Sequence, residues 1–160
     1  MYRIGQARDI HRLDYGRKLI LGAVEIPFEK GLVGHSDADC LIHAIVNAII
    51  GALGLGDIGK FFPDNDPKYK DISSTYFLKE IKNVLREKEY EIVNIDSTVI
   101  IEKPILRPFI DTMCSNIASY LGINVESVNV KATRGEKLGF VGKGLGVEAE
   151  CVVLLKKIRY

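Results

Sequence analysis

The chain has 160 residues, of which 47% are hydrophobic and 27% charged, a composition typical of a globular protein with one domain over residues 1–160. Lysine and arginine number 22 against 21 aspartate and glutamate, so the formal net charge of +1 gives no reason to expect nucleic acid or a membrane surface as partner. No apolar run approaches the roughly 18 residues of a membrane span, and no secretion signal opens the sequence.

The first predicted element is the apolar stretch MYRIGQARDIHRL, which contains Asp9 and His11. In an extended strand, residues i and i+2 point to the same face, so these two side chains would present an oxygen and a nitrogen side by side. That arrangement is half of a metal site. Because Asp-x-His also occurs by chance, the alternative is a turn-capping Asp9 and a surface His11.

A β segment and a buried helix come next. The stretch KLILGAVEIPFEKG, residues 18–31, predicts β structure with a turn near Gly22 and a strand end at Pro27. Residues 39–53 carry apolar side chains at helical spacing around most of the circumference. This pattern predicts a helix that is buried on most sides.

His43 interrupts this apolar helix and forms an i, i+4, i+8 polar stripe with Asp39 and Asn47. Burying such groups is costly unless each finds a partner. A metal ion on His43, with Asp39 orienting the imidazole, is one solution, and a helix face turned to water is the other. In the preceding segment GHSDAD, Ser36 and backbone N–H groups could meet an anion, while Asp37 and Asp39 could instead act as helix caps.

Helices and strands alternate through the rest of the chain. Residues 56–71 are rich in Gly, Pro, Asp and Asn, which predicts a loop, and Ser73 or Ser74 then caps an amphipathic helix. Residues 90–101 alternate as a strand, and a proline-punctuated loop leads to a second amphipathic helix over residues 110–121. Two final strand-like pieces flank a glycine-rich connection. The alternation favours a two-layer α/β domain.

Asp9, His11 and His43 together offer one oxygen and two nitrogen ligands. Such a set suits zinc with an open fourth position, and three protein ligands favour a site that meets substrate over a purely structural one.

A second polar cluster lies in KATRGEKLGFVGKG, residues 131–144. Glu136 is a candidate ligand for a magnesium ion shared with phosphates, and Arg134, Lys137 and Lys143 are candidates for pairing with phosphate oxygens. Each of these residues, taken singly, is also typical of a solvated loop.

The three cysteines, Cys40, Cys114 and Cys151, are odd in number and widely separated among apolar neighbours. They predict buried free thiols in a reducing compartment, with a catalytic nucleophile as the alternative. We therefore expect a cytoplasmic protein.

Five long motifs follow one another at ungapped spacing: RIG...DIH, EKGLVGHSDADCLIHA, GALGLGDIGKFFPDNDP, NIDSTVIIEKP and VNVKAT..EKLGF.G.G. Through them essentially the whole chain resembles the 2-C-methyl-D-erythritol 2,4-cyclodiphosphate synthase family. The resemblance implies an α/β (α+β) fold with a mixed four-stranded sheet and helices on one face, like that of chorismate mutase. It also implies a homotrimer with active sites between subunits.

The implied reaction is that of a phosphorus-oxygen lyase in the non-mevalonate route to isoprenoids. It closes 4-diphosphocytidyl-2-C-methyl-D-erythritol 2-phosphate into the cyclodiphosphate and releases CMP. The alternatives are a metal- and nucleotide-binding trimer without activity and a metal-dependent phosphohydrolase.

The family's zinc ligands match Asp9, His11 and His43, and Mn²⁺ or Co²⁺ are possible replacements for zinc. Its glutamate for Mg²⁺ or Mn²⁺, bound with the substrate diphosphate, matches Glu136. The implied catalytic residues are His35, Arg134 and Glu136. The implied contacts to the cytidine diphosphate substrate are Asp9, His11, His35, Ser36, Asp57, Ile58, Gly59, Phe62, Pro63, Asp64, Asn65, Asp66, Ile101, Glu102, Lys103, Pro104, Ile105, Leu106, Arg107, Thr133, Arg134, Gly135, Glu136, Phe140 and Lys143.

Three stretches depart from the family pattern. The family usually reads T-T-x-E where this chain has TRGE, so Arg134 replaces a hydroxyl credited with stabilising the transition state. Before the Asp-x-His motif, Ala7 and Arg8 replace a glycine and an aromatic residue. In the loop expected to bind cytidine, the more usual Gln, Lys and Leu are replaced by Glu102, Ile105 and Arg107.

Overall fold

The structure is a computed structural model that describes residues 1–158. The described residues form seven strands: β1 (Tyr2–Tyr15), β2 (Leu19–Leu21), β3 (Val24–Ile26), β4 (Lys30–Val33), β5 (Tyr90–Ile100), β6 (Val128–Thr133) and β7 (Gly146–Lys157). They also form five α-helices: α1 (Cys40–Leu53), α2 (Ile58–Phe61), α3 (Thr75–Glu87), α4 (Ile110–Leu121) and α5 (Gly139–Gly142). Short 3-10 turns lie at Pro67–Tyr69, Arg107–Phe109 and Val125–Ser127.

The main sheet is mixed, as predicted, but it has five strands in the order β4-β1-β7-β5-β6, not four. Strands β5 and β6 are parallel, and the other neighbours are antiparallel. The additional strand is β4, which pairs with the end of β1 from Arg12 opposite Val33 to Tyr15 opposite Lys30. The sequence did not separate β4 from the preceding β2-β3 hairpin because the whole segment has β character.

The helices cover one face of the sheet. Along β7, Val147, Ala149 and Cys151 are buried, whereas Glu150 and Val152 are exposed. This alternation is that of a strand with one covered face and one uncovered face. Helix α1 packs against β1 and β7 and is buried along most of its length, which confirms the helix predicted from apolar spacing.

Helix α1 comes very close to β1 at Gly5. A Cβ atom at this position would lie 2.0 Å from the carbonyl oxygen of Ala48 and 2.8 Å from the Cβ of Ala52, so a side chain does not fit without movement of the backbone. Because Gly5 and Asp9 are four residues apart in one strand, they lie on the same face of β1. The close packing therefore brings the Asp9 side of β1 against the helix that carries His43.

The ends of the helices differ in part from the prediction. Asp39 caps α1 by accepting a hydrogen bond from the Ile42 N–H at 3.1 Å, which confirms one of its two proposed roles. Helix α3 begins after Ser74, whose hydroxyl makes no capping hydrogen bond within the described chain, whereas the Ser73 hydroxyl accepts a 3.3 Å bond from the Thr75 N–H. The segment 56–71, predicted as a loop, contains α2 and a 3-10 turn.

The cysteines of the described chain are all free thiols, as predicted. Cys40 and Cys151 are buried and Cys114 is half-buried. Burial raises the pKa of Cys40, and it raises the pKa of Cys151 to about 12. Both thiols are therefore protonated and inert near neutral pH. Of the helices in residues 1–158, not one has the length and apolar character needed to cross a bilayer.

Candidate metal centre and substrate clefts

Asp9 and His11 of β1 meet His43 of α1 at one point. One ligand atom from each lies within 4.8 Å of the other two. Asp9 Oδ2 is 2.7 Å from His11 Nδ1 and 3.6 Å from His43 Nδ1. Among residues 1–158, Asp9 Oδ2 and His11 Nδ1 are nevertheless buried atoms without a hydrogen-bond partner.

A buried polar atom that lacks a partner carries the full cost of its desolvation. Here one carboxylate oxygen and two imidazole nitrogens are directed at the same point but are not aligned for hydrogen bonding with each other. A cation between them would satisfy all three. The arrangement confirms the predicted grouping of Asp9, His11 and His43 and fits a metal ion with a coordination position left for another ligand.

The charge of Asp9 also favours a cation. Burial acts to raise the pKa of this carboxyl, but the imidazoles of His11 and His43 outweigh it and hold the pKa well below its ordinary value. Asp9 is therefore ionised at neutral pH. The site contributes one negative charge to a bound metal.

The second ring nitrogen of His43 faces two serine hydroxyls. His43 Nε2 lies 3.2 Å from Ser36 Oγ and 3.0 Å from Ser74 Oγ. The expectation that Asp39 orients this imidazole is wrong, because the Asp39 carboxylate accepts backbone N–H bonds of 3.0 and 2.8 Å from residues 22–23, in the turn between β2 and β3. Asp39 therefore does not act together with His43 in the predicted polar stripe on α1. Its carboxylate caps the helix and binds the turn between β2 and β3 instead.

A cleft of about 360 Å³ opens over the three ligands. The predicted substrate contacts that line it are Asp9, His11, His35, Ser36, Ile58, Gly59, Phe62, Pro63 and Asp64. The sequence did not predict four other lining residues, which are Val33, Gly34, Tyr69 and Phe77. The ring centroids of Phe62 and Phe77 are 4.5 Å apart. Phe77 lies on the amphipathic helix predicted after Ser73 or Ser74, and no motif in the sequence marks it as a cleft residue.

Three predicted contacts, Asp57, Asn65 and Asp66, belong to the same segment but are absent from the lining of this cleft in the described structure. Asp57 caps α2 with a 3.0 Å hydrogen bond from a backbone N–H. The carbonyl oxygen of Asp66 lies 2.7 Å from His35 Nε2. Asn47 accepts a 2.9 Å bond from the first backbone N–H of α2. These contacts hold the segment against the His35 loop and helix α1.

A second cleft, of about 120 Å³, gathers most of the loop expected to bind cytidine. The predicted residues that line it are Ile101, Glu102, Pro104, Ile105, Leu106, Arg107, Thr133 and Arg134. A neighbouring hollow of about 220 Å³ is lined by Glu102, Lys103 and Lys143. Within the described chain, neither space shares a lining residue with the cleft over the metal ligands. One chain therefore presents the predicted site residues in two separate groups.

Glu136 lies in the turn between β6 and α5, where two residues have an unusual backbone conformation. Glu136 has φ 54° and Lys137 has φ 61°, both in the left-handed region. The Glu102 carboxylate accepts hydrogen bonds from the N–H groups of Gly135 at 2.9 Å and Lys137 at 3.3 Å. Glu136 and Phe140 are exposed. The turn is thus tied to the predicted cytidine loop through Glu102.

The two residues that differ from the family pattern before the Asp-x-His motif, Ala7 and Arg8, lie on opposite faces of β1. Ala7 is buried on the helix side of β1. Arg8 is on the opposite side, where its guanidinium forms a two-point ion pair with Glu148 of β7, with Nη2 3.0 Å from Oε2. The charge of Arg8 is therefore balanced on the uncovered face of the sheet, away from the metal ligands.

A mixed sheet with helices on one face, carrying one carboxylate and two imidazoles beneath an open cleft, defines an α/β protein with a candidate metal centre. The chain belongs to the YgbB family, whose model matches residues 2–156. It is 59% identical to the 2-C-methyl-D-erythritol 2,4-cyclodiphosphate synthase of Fusobacterium nucleatum over 157 residues, which cover 98% of each chain.

Two solved structures agree with this membership. A CDP complex of IspF from Plasmodium falciparum matches with a TM-score of 0.87 and 35% identity over 99% of this chain and 97% of that chain. The bifunctional IspDF from Campylobacter jejuni matches with a TM-score of 0.95 and 41% identity, and this chain spans 43% of that protein.

These similarities confirm the family, the fold class and the enzyme class predicted from the sequence. The enzyme is a phosphorus-oxygen lyase of isoprenoid biosynthesis, and its reaction follows from the family.

Proposed function

We propose that this protein closes 4-diphosphocytidyl-2-C-methyl-D-erythritol 2-phosphate into the 2,4-cyclodiphosphate, with Asp9, His11 and His43 holding a zinc ion. The observation that carries the proposal is the convergence of three ligand atoms, two of them buried without a partner among the described residues, beneath the 360 Å³ cleft. One oxygen and two nitrogens suit zinc, and the same ligands accept Mn²⁺ or Co²⁺.

The reaction needs no nucleophile from the protein. An oxygen of the substrate's 2-phosphate forms a bond to the β-phosphorus, the bond from that phosphorus to the bridging oxygen breaks, and CMP leaves with the electron pair. This agrees with the protonated state of the buried thiols of Cys40 and Cys151. Bound zinc and magnesium would supply positive charge that draws the phosphates together and stabilises the leaving group.

The side chains of the protein position the substrate. His35 and Ser36 line the cleft over the metal ligands and would contact the phosphates nearest the zinc. Arg134 lies in the second cleft with the 101–107 loop, where its charge would favour departure of CMP as the cytosine is held by loop backbone. Glu136 would hold the Mg²⁺ or Mn²⁺ that accompanies the diphosphate.

We also propose a homotrimer whose active sites lie between subunits. Two observations support it: the metal cleft and the cytidine cleft share no lining residue within the described chain, and the uncovered face of the sheet exposes apolar side chains. Ile4 is 72% exposed, Ile10 48% and Val152 44%. Apolar surface of this kind is typical of a contact with another subunit. The location we propose is the cytoplasm, where free thiols remain reduced.

The activity is tested by incubating the purified protein with the cytidyl substrate, zinc and magnesium. CMP with the cyclic diphosphate is the expected result. CMP with a linear product would indicate a phosphohydrolase, and tight binding without turnover would indicate a nucleotide-binding protein. Zinc should be lost from His43→Ala, and a His43→Ala protein that keeps stoichiometric zinc would overturn the ligand assignment.

The placement of sites between subunits is tested by mixing two inactive variants. Sedimentation should give three times the chain mass of 17.8 kDa. His43→Ala removes a metal ligand. Glu136→Ala removes a residue of the turn that is tied to the predicted cytidine loop. Denaturing and refolding these variants together should restore part of the activity, because some sites then combine an intact half from each chain. If each chain holds a complete site, the mixture stays inactive.

A further inference from the structure

Ser74 stands between His43 and the carboxylate of Asp37. The Ser74 hydroxyl donates to Asp37 Oδ1 and lies 3.0 Å from His43 Nε2. We propose that Ser74 is a positioning residue that fixes the proton of His43 on Nε2 and leaves Nδ1 free to bind the metal. The proposal rests on the proposed metal site and adds to it the residues that contact the His43 ring on the side away from the metal.

The direction of each hydrogen bond follows from counting protons. An ionised carboxylate only accepts, and Asp37 already accepts from the Asp39 N–H at 3.0 Å and the Ser74 N–H at 3.0 Å. The short contact between Ser74 Oγ and Asp37 Oδ1 must therefore contain the single hydroxyl proton of Ser74. Toward His43, Ser74 has only lone pairs to offer, so the proton between them belongs to His43 Nε2.

The second serine can accept the same His43 proton. Ser36 Oγ accepts from the Ala38 N–H at 3.2 Å and lies 3.2 Å from His43 Nε2. Its hydroxyl therefore has a free lone pair for the same His43 proton. With Nε2 protonated, the nitrogen that faces Asp9 Oδ2 at 3.6 Å is the unprotonated Nδ1. A neutral imidazole with a free nitrogen is the form that binds a metal.

A simple helix-capping role does not account for Ser74. It occupies the N-cap position of α3 and is fully buried, yet in the described structure its hydroxyl makes no bond to that helix. The hydroxyl serves His43 and Asp37 instead. Outer groups of this type orient a metal-binding imidazole and raise its basicity, and their loss typically weakens metal binding about 10- to 100-fold.

The test compares Ser74→Ala with Ser73→Ala. Ser73 is the adjacent serine, its hydroxyl contacts Thr75, and it is exposed, so its loss should leave the metal site unchanged. Zinc affinity is measured by competition with a chelating indicator, and Ser74→Ala should bind zinc about 10- to 100-fold more weakly than Ser73→Ala. Thermal unfolding of the metal-free proteins, measured in parallel, reports any general loss of stability.

A second measurement needs no variant. Long-range proton-nitrogen NMR spectra of the metal-free protein show which His43 nitrogen carries the proton. We expect Nε2 to be protonated in the wild-type protein. A proton on Nδ1, or a zinc affinity of Ser74→Ala within twofold of Ser73→Ala, would overturn the role of Ser74. If His43→Ala loses zinc in that case, the metal site itself still stands, whereas retention of zinc by His43→Ala defeats both proposals.

Discussion

Replacing Glu102 by alanine should disorder the turn that carries Glu136. A residue other than glycine in the left-handed region costs roughly 1–2 kcal/mol, and Glu136 and Lys137 both adopt it. The Glu102 carboxylate offsets this cost with its bonds to the N–H groups of Gly135 and Lys137, at 2.9 and 3.3 Å. A well-formed bond to a charged group contributes roughly 1.5–3 kcal/mol, but the second bond is long and exposed, so about 2 kcal/mol for the pair is reasonable.

That free energy sets the expected effect on activity. Since 1.4 kcal/mol is a factor of ten, a loss of about 2 kcal/mol lowers the ratio of formed to unformed turn by about 25- to 30-fold. The assay is CMP release at saturating zinc with magnesium varied. Glu102→Ala should lower kcat/KM by about that factor and raise the magnesium requirement. Zinc content should stay unchanged, because the described metal cleft does not include Glu102.

Two variants serve as controls. Glu102→Gln keeps one acceptor oxygen and should lose much less activity than Glu102→Ala. Glu91→Ala removes an exposed glutamate that pairs with Lys156 at 3.9 Å, and it should behave as wild type. Wild-type kcat/KM and magnesium dependence in Glu102→Ala would refute the reasoning.

Three other predictions concern the substituted arginine, the strand-helix contact and the buried aspartate. Arg134→Thr should change turnover more than zinc content, and equal loss of both would show a structural role. Gly5→Ala should lower the free energy of unfolding by about 3 kcal/mol, because its Cβ would lie 2.0 Å from a backbone oxygen; an unchanged denaturation midpoint would contradict this. Burial raises the pKa of Asp39 to about 6, against the opposing effect of its backbone N–H bonds. The stability contributed by this carboxyl is therefore present below about pH 4 and lost as the pH rises through 6. Denaturant unfolding between pH 4 and 7 should show wild type losing stability relative to Asp39→Asn, and parallel profiles would count against the shift.

Much of the site could be predicted because it depends on local periodicity and on long motifs. Asp9 and His11 share a face of β1 because strand side chains alternate with a period of two. His43 lies on a buried helix because apolar residues surround it at helical spacing. The family followed from five ungapped motifs, and the similarity to known synthases confirms it. Each of these features can be read from residues that lie close together in the sequence.

Other features depended on which distant segments pack together. Asp39 appeared suited to orient His43, but its carboxylate is directed at the β2-β3 hairpin, and Ser74, 31 residues beyond His43, takes that place. Strand β4 was not separated from the hairpin because only its pairing with residues 12–15 of β1 sets it apart from the rest of that β segment.

The sequence by itself therefore determined the family, most of the helices and strands, and the candidate metal ligands Asp9, His11 and His43. Only the tertiary structure decided the partners of each ligand and the division of the predicted contacts between two clefts. The physical reason is that spacing along the chain sets the direction of a side chain, whereas the packing of distant elements sets what it meets.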